Sequence, residues 1–220
     1  FNGGDWVRRL YQMNIDGSNL KEIDDDLFDP SLSPNTNQIV GVSSDLSSLL
    51  LLDRLGLKKR VLSNELEYSF YLHPKWSPEG ERIAFIANEK KFPNNQSQIC
   101  IVDKNGKNFK KICDASFFYG VMPPPPIWSP DGDKIAYITE NSLYITNLLT
   151  GETTPIDSEV DNFSWSPDGD KIAYAKNIEE KDGYYDDIFT ANIDRTDIIN
   201  ITNTQGISES RVSWSYWSIF

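Results

Sequence analysis

The sequence predicts an all-β chain assembled from one four-stranded antiparallel unit used several times. Three observations predict it. A ten-residue phrase recurs, a sixteen-residue frame recurs, and the two alternate along all 220 residues.

The phrase is clearest at Trp128 to Tyr137, W-S-P-D-G-D-K-I-A-Y, and Trp165 to Tyr174 repeats it letter for letter. Trp76 to Phe85 is a close copy, Leu32 to Gly41 a worn one, and Val212-Ser213-Trp214-Ser215 opens a fifth. Ser-Pro stops a strand, because proline lacks an N–H and fixes its own φ. Asp-Gly turns the chain, with glycine free to take positive φ. Lys-Ile-Ala-Tyr leaves the turn as a new strand. Each copy therefore reads as a β-hairpin with the Trp position ending its first strand.

The frame fits without gaps from Arg9, Ser48, Gln98, Ser142 and Asp187. Its sixth position is always Asn or Asp (Asn14, Asp53, Asp103, Asn147, Asn192) and its fifteenth is always aliphatic (Ile23, Leu62, Ile112, Ile156, Ile201). An apolar strand, an Asx residue, a turn and a return strand make a second hairpin. Two hairpins give a unit of about forty residues, the signature of a β-propeller blade. With strands labelled A to D, the chain starts at C and D of one blade. It then runs through four complete blades and ends in another strand A. The whole of 1–220 is one propeller domain on this reading. It has five blades if the N- and C-terminal strands pair and close it; six blades or a fragment of a larger propeller are the alternatives.

Composition agrees with a packed β domain. Aromatic residues make up 12% and hydrophobic residues 39%, which excludes a disordered chain. The longest apolar run is Leu49 to Leu52, so no membrane insertion is expected. No basic and apolar leader precedes the repeats, and the start at Phe1 without a Met suggests a mature or trimmed product. Thirty-three acidic against 21 basic residues give a net charge of −12, which argues against nucleic acid as a partner.

Tandem W-S-P-D-G-x-K-I-A-Y followed by x-I-Y-x-x-N-x-D-G resembles the β-propeller repeats of the TolB family. It is similar also to the gating propellers of tricorn-type and prolyl-oligopeptidase-type peptidases. It is less similar to WD repeats, which carry a Gly-His and a closing Trp-Asp. The resemblance covers almost the whole chain. It implies a propeller, often extracytoplasmic (periplasmic or secreted), that works by binding proteins or peptides; it does not imply an enzyme, and none is expected.

Spacing says where a site belongs. From the Trp position to the Tyr position is nine residues in every complete phrase, and the frame is always sixteen. The other connections vary. From the end of D to the next Trp position the steps are 8, 13, 15, 8 and 12; from the end of B to the start of C they are 7, 13, 5 and 13. Strands alternate in direction, so D–A and B–C connections share one face, and variable loops are where binding is usually mounted. On that face the sequence places Phe117, Phe118, Tyr119 and Met122 before a run of four prolines, Tyr71 and His73, Phe92, and Tyr184 with Tyr185. These are the candidate binding residues, because aromatic and Met side chains rimmed by polar groups suit a protein or peptide partner. The alternative is that these aromatics fold down onto the blades. A carbohydrate site using Tyr184, Tyr185 and Trp side chains is a further alternative. So is a gating or accessory role within a larger hydrolase or sensor.

Catalysis finds no support in the pattern. His73 is the one histidine, too few to build a zinc site with Cys100 and Cys113 elsewhere in the chain. G-x-S-x-G, H-E-x-x-H and phosphate-binding glycine motifs are missing. No catalytic residue, metal or cofactor is expected, and the oligomeric state is left open. Cys100 and Cys113 occupy frame positions 3 and 16 of one C–D hairpin. A turn centred between positions 9 and 10 would oppose them for a disulfide. A two-residue Asn105-Gly106 turn would set Lys111 opposite Cys100 instead.

Overall fold

The computed structural model describes residues 9–57, 59–63, 66, 68–89, 97–115, 124–180, 183–204 and 206–214. Strand boundaries follow the phrase. Strands β7 (Tyr68–Trp76), β11 (Ile127–Trp128) and β15 (Val160–Trp165) each end on the Trp that precedes Ser-Pro. Strands β8 (Arg82–Glu89), β12 (Lys134–Thr139) and β16 (Lys171–Glu180) each begin directly after the turn. The worn copy behaves alike, with β3 (Leu27–Leu32) ending at the Trp position and β4 (Gln38–Ser43) following. The frame supplies the remaining strands: β1 (Leu10–Gln12) and β2 (Lys21–Asp24), β5 (Leu49–Asp53) and β6 (Lys59–Val61), β9 (Ser97–Asp103) and β10 (Lys110–Ala115). It also supplies β13 (Ser142–Asn147) and β14 (Thr153–Ser158), then β17 (Gly183–Asn192) and β18 (Ile199–Asn200).

These strands form five sheets, matching the five predicted blades. Four are four-stranded and antiparallel, β3 to β6, β7 to β10, β11 to β14 and β15 to β18, each in chain order; the fifth is β1–β2. The terminal strand pairing expected to complete it falls on residues 1–8 and 215–220, outside the described residues. The chain divides into two compact units, Phe1–Asp114 and Ala115–Phe220.

The frame's register is constant. Position 3 faces position 14 in the pairs Tyr11↔Glu22, Leu50↔Val61, Tyr144↔Pro155 and Phe189↔Asn200. The sulfurs of Cys100 and Cys113 are not bonded to each other. The Asx position closes the C–D turn. Asp103 Oδ1 accepts from the amides of Asn105 and Lys107, both at 2.8 Å, and Asn147 Oδ1 accepts from Leu149 at 2.9 Å.

Each unit has its own core between sheets. In the first, Val40, Val42 and Leu49 pack with Trp76, Ile83 and Phe85 of the next sheet. In the second, Ala136, Leu143 and Ile145 pack with Trp165, Ile172 and Tyr174. Trp165 also donates its indole N–H to the carbonyl of Ile127 on the preceding sheet at 3.2 Å. Trp76 and Trp165 therefore join neighbouring sheets within their own units, through area removed from water and, for Trp165, a directed bond.

Candidate functional site

The invariant end of the strands is chemically closed. In the repeated turn, Ser129 Oγ donates to Asp131 Oδ1 at 2.5 Å and accepts from the Lys134 amide at 2.9 Å. Ser166, Asp168 and Lys171 repeat the arrangement at 2.5 and 2.9 Å. Asp131 and Asp168 are held below the ordinary carboxylate range. For Asp131, burial opposes the shift and the bonds from Ser129, the Asp133 amide and Lys134 outweigh it. For Asp168 the bond from Ser166 leads. Adjacent turns in the first unit interlock, with Asn35 Nδ2 donating to the Glu79 carbonyl at 2.5 Å. Gly80 beside it sits at φ +69°, and a Cβ there would meet Asn35 Oδ1 at 1.9 Å. These aspartates are turn staples.

The variable end differs. Phe117, Phe118, Tyr119, Met122 and Phe92 lie outside the described residues. Tyr184 is 66% exposed near the tip of the β16–β17 hairpin, whose two ten-residue strands are the longest in the fold. Tyr185 is half-buried and pairs across the ladder with Ile178. Around them stand Glu179, 3.5 Å from the Tyr184 hydroxyl, and Asp186, which accepts from Asn177 at 3.0 Å. Asp161 is pushed above its ordinary range, first by burial and then by Asp186 and Glu159. The second unit thus presents an exposed tyrosine beside a group of carboxylates.

Tyr71 corrects the sequence reading. It is 1% exposed and belongs to the core of the first unit, against Phe85 and edge-on to Tyr68 at 6.1 Å. The run Tyr68-Ser69-Phe70-Tyr71 is the start of β7 and not a loop, and alternation along that strand turns Tyr71 inward. The Trp side chains of the carbohydrate alternative are likewise buried at Trp76, Trp128 and Trp165.

His73 is part of a constellation that the sequence reading missed. Its Nδ1 lies 2.5 Å from Asp29 Oδ2, and Lys75 Nζ lies 3.2 Å from Asp29 Oδ1. Asp29 and His73 sit on β3 and β7, the first strands of adjacent sheets, at matching bulges where two residues oppose one. Both hold a left-handed backbone, φ 48° and 51°, and both precede a proline. That conformation is strained for residues with a Cβ, and strain of this kind gathers at functional positions. Burial raises Asp29, but His73 and Lys75 outweigh it and hold the carboxylate below its ordinary range. His73 Nε2 is buried with no hydrogen-bond partner among the described residues. Among the described residues the side-chain partner of the His73 ring is Asp29. The missed signal was present: D-P-S-L-S-P at Asp29 matches H-P-K-W-S-P at His73.

No family model matches the chain. No curated protein matches it either. Solved structures do. TolB from Acinetobacter baumannii superposes with a TM-score of 0.62 at 20% identity, over 92% of this chain and 50% of its own. The fold is a TolB-like β-propeller. The TolB-like propeller fold is also shared, at a TM-score of 0.62 and 16% identity, with an acylaminoacyl peptidase from Pyrococcus horikoshii, over 89% of this chain and 35% of the peptidase. A chain of the nidogen/laminin complex matches at a TM-score of 0.59 and 12% identity, over 87% of this chain and 71% of its own. At these identities the likeness is one of fold. The chain spans half the length of the Acinetobacter TolB.

Proposed function

We propose that the chain is a non-enzymatic binding propeller that recognises a protein or peptide on the face of its D–A and B–C connections. The observation that carries the reading is an asymmetry between the two ends of the strands. The A–B and C–D turns have fixed length, and their Asp and Asn side chains are spent on backbone bonds. All length variation lies at the other end, with exposed Tyr184 beside Glu179 and Asp186. An amphipathic ring next to carboxylates suits a polypeptide carrying apolar and basic groups. The binding set is Tyr184 and Tyr185 together with Phe117, Phe118, Tyr119, Met122 and Phe92; Tyr71 is not in it. His73 enters through its bond to Asp29. TolB and a nidogen/laminin complex among the similar folds support a protein partner.

Substituting Tyr184 and Tyr185 by Ala tests this, with a separate triple substitution of Phe117, Phe118 and Tyr119. Loss of a partner recovered by pull-down, with circular dichroism unchanged, is the expected result. Retention of that partner by both variants would remove the assignment. An extracytoplasmic location belongs to the same proposal; no helix among the described residues is long and apolar enough to cross a membrane. Cell fractionation checks it.

A second reading is favoured by the partial match to a peptidase: an accessory propeller within a larger hydrolase. Its test is the parent reading frame. A contiguous hydrolase domain would move the binding role to substrate gating.

A further inference from the structure

We propose that the C–D turns of two adjacent sheets, β3 to β6 and β7 to β10, form one basic surface that binds an acidic segment of another protein, with apolar residues interleaved between its carboxylates. The surface lies at the end of the strands opposite the variable connections and stands whatever that face binds.

Charge is spread unevenly along the chain. Residues 1–114 carry 15 basic and 16 acidic residues, and residues 115–220 carry 6 and 17. In the first unit the basic residues concentrate at frame positions 7 to 14 of two successive blades. Arg54 to Val61 reads R-L-G-L-K-K-R-V and Lys104 to Lys111 reads K-N-G-K-N-F-K-K, with four basic residues each and no acidic one. The same positions read I-D-G-S-N-L-K-E, L-L-T-G-E-T-T-P and I-D-R-T-D-I-I-N in the other frames, where acidic residues outnumber basic ones. Lysine on an outer strand also serves to block pairing with foreign sheets. That accounts for Lys59, Arg60, Lys110 and Lys111 on β6 and β10, but not for Arg54, Lys104 and Lys107, which stand in the turns. Nor does the fold demand it, since the outermost strands β14 and β18 carry no lysine.

The fold joins the two stretches. Arg60 Nη2 donates to the Lys104 carbonyl at 2.8 Å. Gly106 packs on the same seam, where a Cβ would stand 3.0 Å from the Leu62 carbonyl oxygen. The positive charge is only partly neutralised. Lys59 pairs with Asp24 and Asp26 at 3.3 and 3.1 Å, Lys104 with Glu81 at 2.6 Å, and Lys111 with Asp114. Arg54, Arg60 and Lys107 are exposed and make no ion pair among the described residues. The turn carboxylates face their own backbone, Asp53 accepting from the Leu57 amide and Asp103 from the Lys107 amide, both at 2.8 Å. Between the charges stand exposed apolar side chains, Leu55, Leu57 and Phe109. These features select the partner. The first unit is close to neutral as a whole, and the field of the surface falls off within about 8 Å at physiological salt. A lipid plane or a nucleic-acid duplex would reach past it to the acidic residues of the same unit, whereas a short acidic segment would not. Leu and Phe set among cations call for apolar residues set among carboxylates. Arg60, oriented by the Lys104 carbonyl, keeps further N–H donors for a carboxylate.

The probe is a fluorescein-labelled peptide, E-D-L-E-D-F-E-D-L-E-D, titrated with the full chain and followed by anisotropy. Saturable binding that weakens as salt is raised is expected. Lys107→Glu and Arg60→Glu should each weaken it by about tenfold or more, the effect of losing one charged contact. Leu57→Ser should weaken it without changing its salt dependence. Arg195→Glu alters net charge by the same amount in the second unit, and it should bind as the parent chain does, as should Tyr184→Ala. Far-ultraviolet dichroism checks that each variant folds; Lys107→Glu keeps the test if Arg60→Glu disturbs the seam between the sheets. The proposal is overturned by lack of saturation, by binding that Lys107→Glu leaves unchanged, or by an equal loss in Arg195→Glu, which would assign the effect to net charge. It is overturned also if phosphatidylglycerol vesicles or single-stranded DNA bind more tightly than the peptide and lose that binding in Lys107→Glu, since the surface would then serve a lipid or a nucleic acid.

Discussion

Asp29 and His73 each hold a backbone conformation that costs about 1–2 kcal/mol for a residue with a Cβ. They hold it while bonded to each other, so the tertiary contact maintains the strain. Substitution separates the two terms. His73→Gly loses the bond but relieves the backbone, and His73→Ala loses the bond and keeps the strain. Urea denaturation should find His73→Ala less stable than His73→Gly by about 1 kcal/mol. Asp29 adds a pH signature. Its folded-state carboxylate is held below its ordinary value, so the unfolded chain binds the proton more readily. The stability it contributes is complete above the unfolded value near pH 4 and is lost as pH falls through the folded value. Asp29→Asn should therefore cost about 1–3 kcal/mol at pH 7, with the difference from the parent narrowing below pH 4. A stability gap independent of pH would remove the charged bond from the account. Burial sets a third residue apart, pushing the Cys100 thiol up to about 12. In the native protein Ellman's reagent should leave Cys100 unmodified and reach it only on unfolding.

Hairpins are where the sequence was most legible, for a physical reason. Proline and Asp-Gly dictate backbone geometry locally, so the phrase marks strand ends without reference to neighbours, and Trp76, Trp128 and Trp165 close their strands as expected. The frame carried register as well, because a turn of constant length fixes which residues face each other. What it could not carry was orientation within an aromatic run. Tyr71 and Tyr184 look alike in sequence; one is core and the other surface because β7 begins earlier than its phrase and the β16–β17 hairpin runs longer. The Asp29–His73 pair was legible only by aligning the worn phrase with a good one, since its two members are 44 residues apart. The turns also give the element its own test. Ser166 is buried and serves both Asp168 and the Lys171 amide. Ser166→Ala leaves that amide without its bond and should cost about 1–3 kcal/mol in chemical denaturation. Asp168, on the outside of the turn, should cost less.

At the scale of the chain, function classes were narrowed by charge and fold class by repetition, and neither named a partner. A propeller repeat tells each blade what its neighbours are and leaves the connections unspecified, so the binding face was legible as a location and not as a ligand. The net charge of −12 and the isoelectric point near 4.5 bear on exposed Tyr184 in a different way. Mutual repulsion keeps molecules apart at neutral pH and low salt, even though each presents an aromatic ring near the tip of a hairpin. Acidification toward 4.5, or added salt, removes that repulsion while leaving the ring exposed. The protein should then become colloidally unstable before it unfolds. Light scattering would rise while far-ultraviolet dichroism stays native, and Tyr184→Ala would delay the rise. The choice of buffer for handling this chain is thus set by its surface charge.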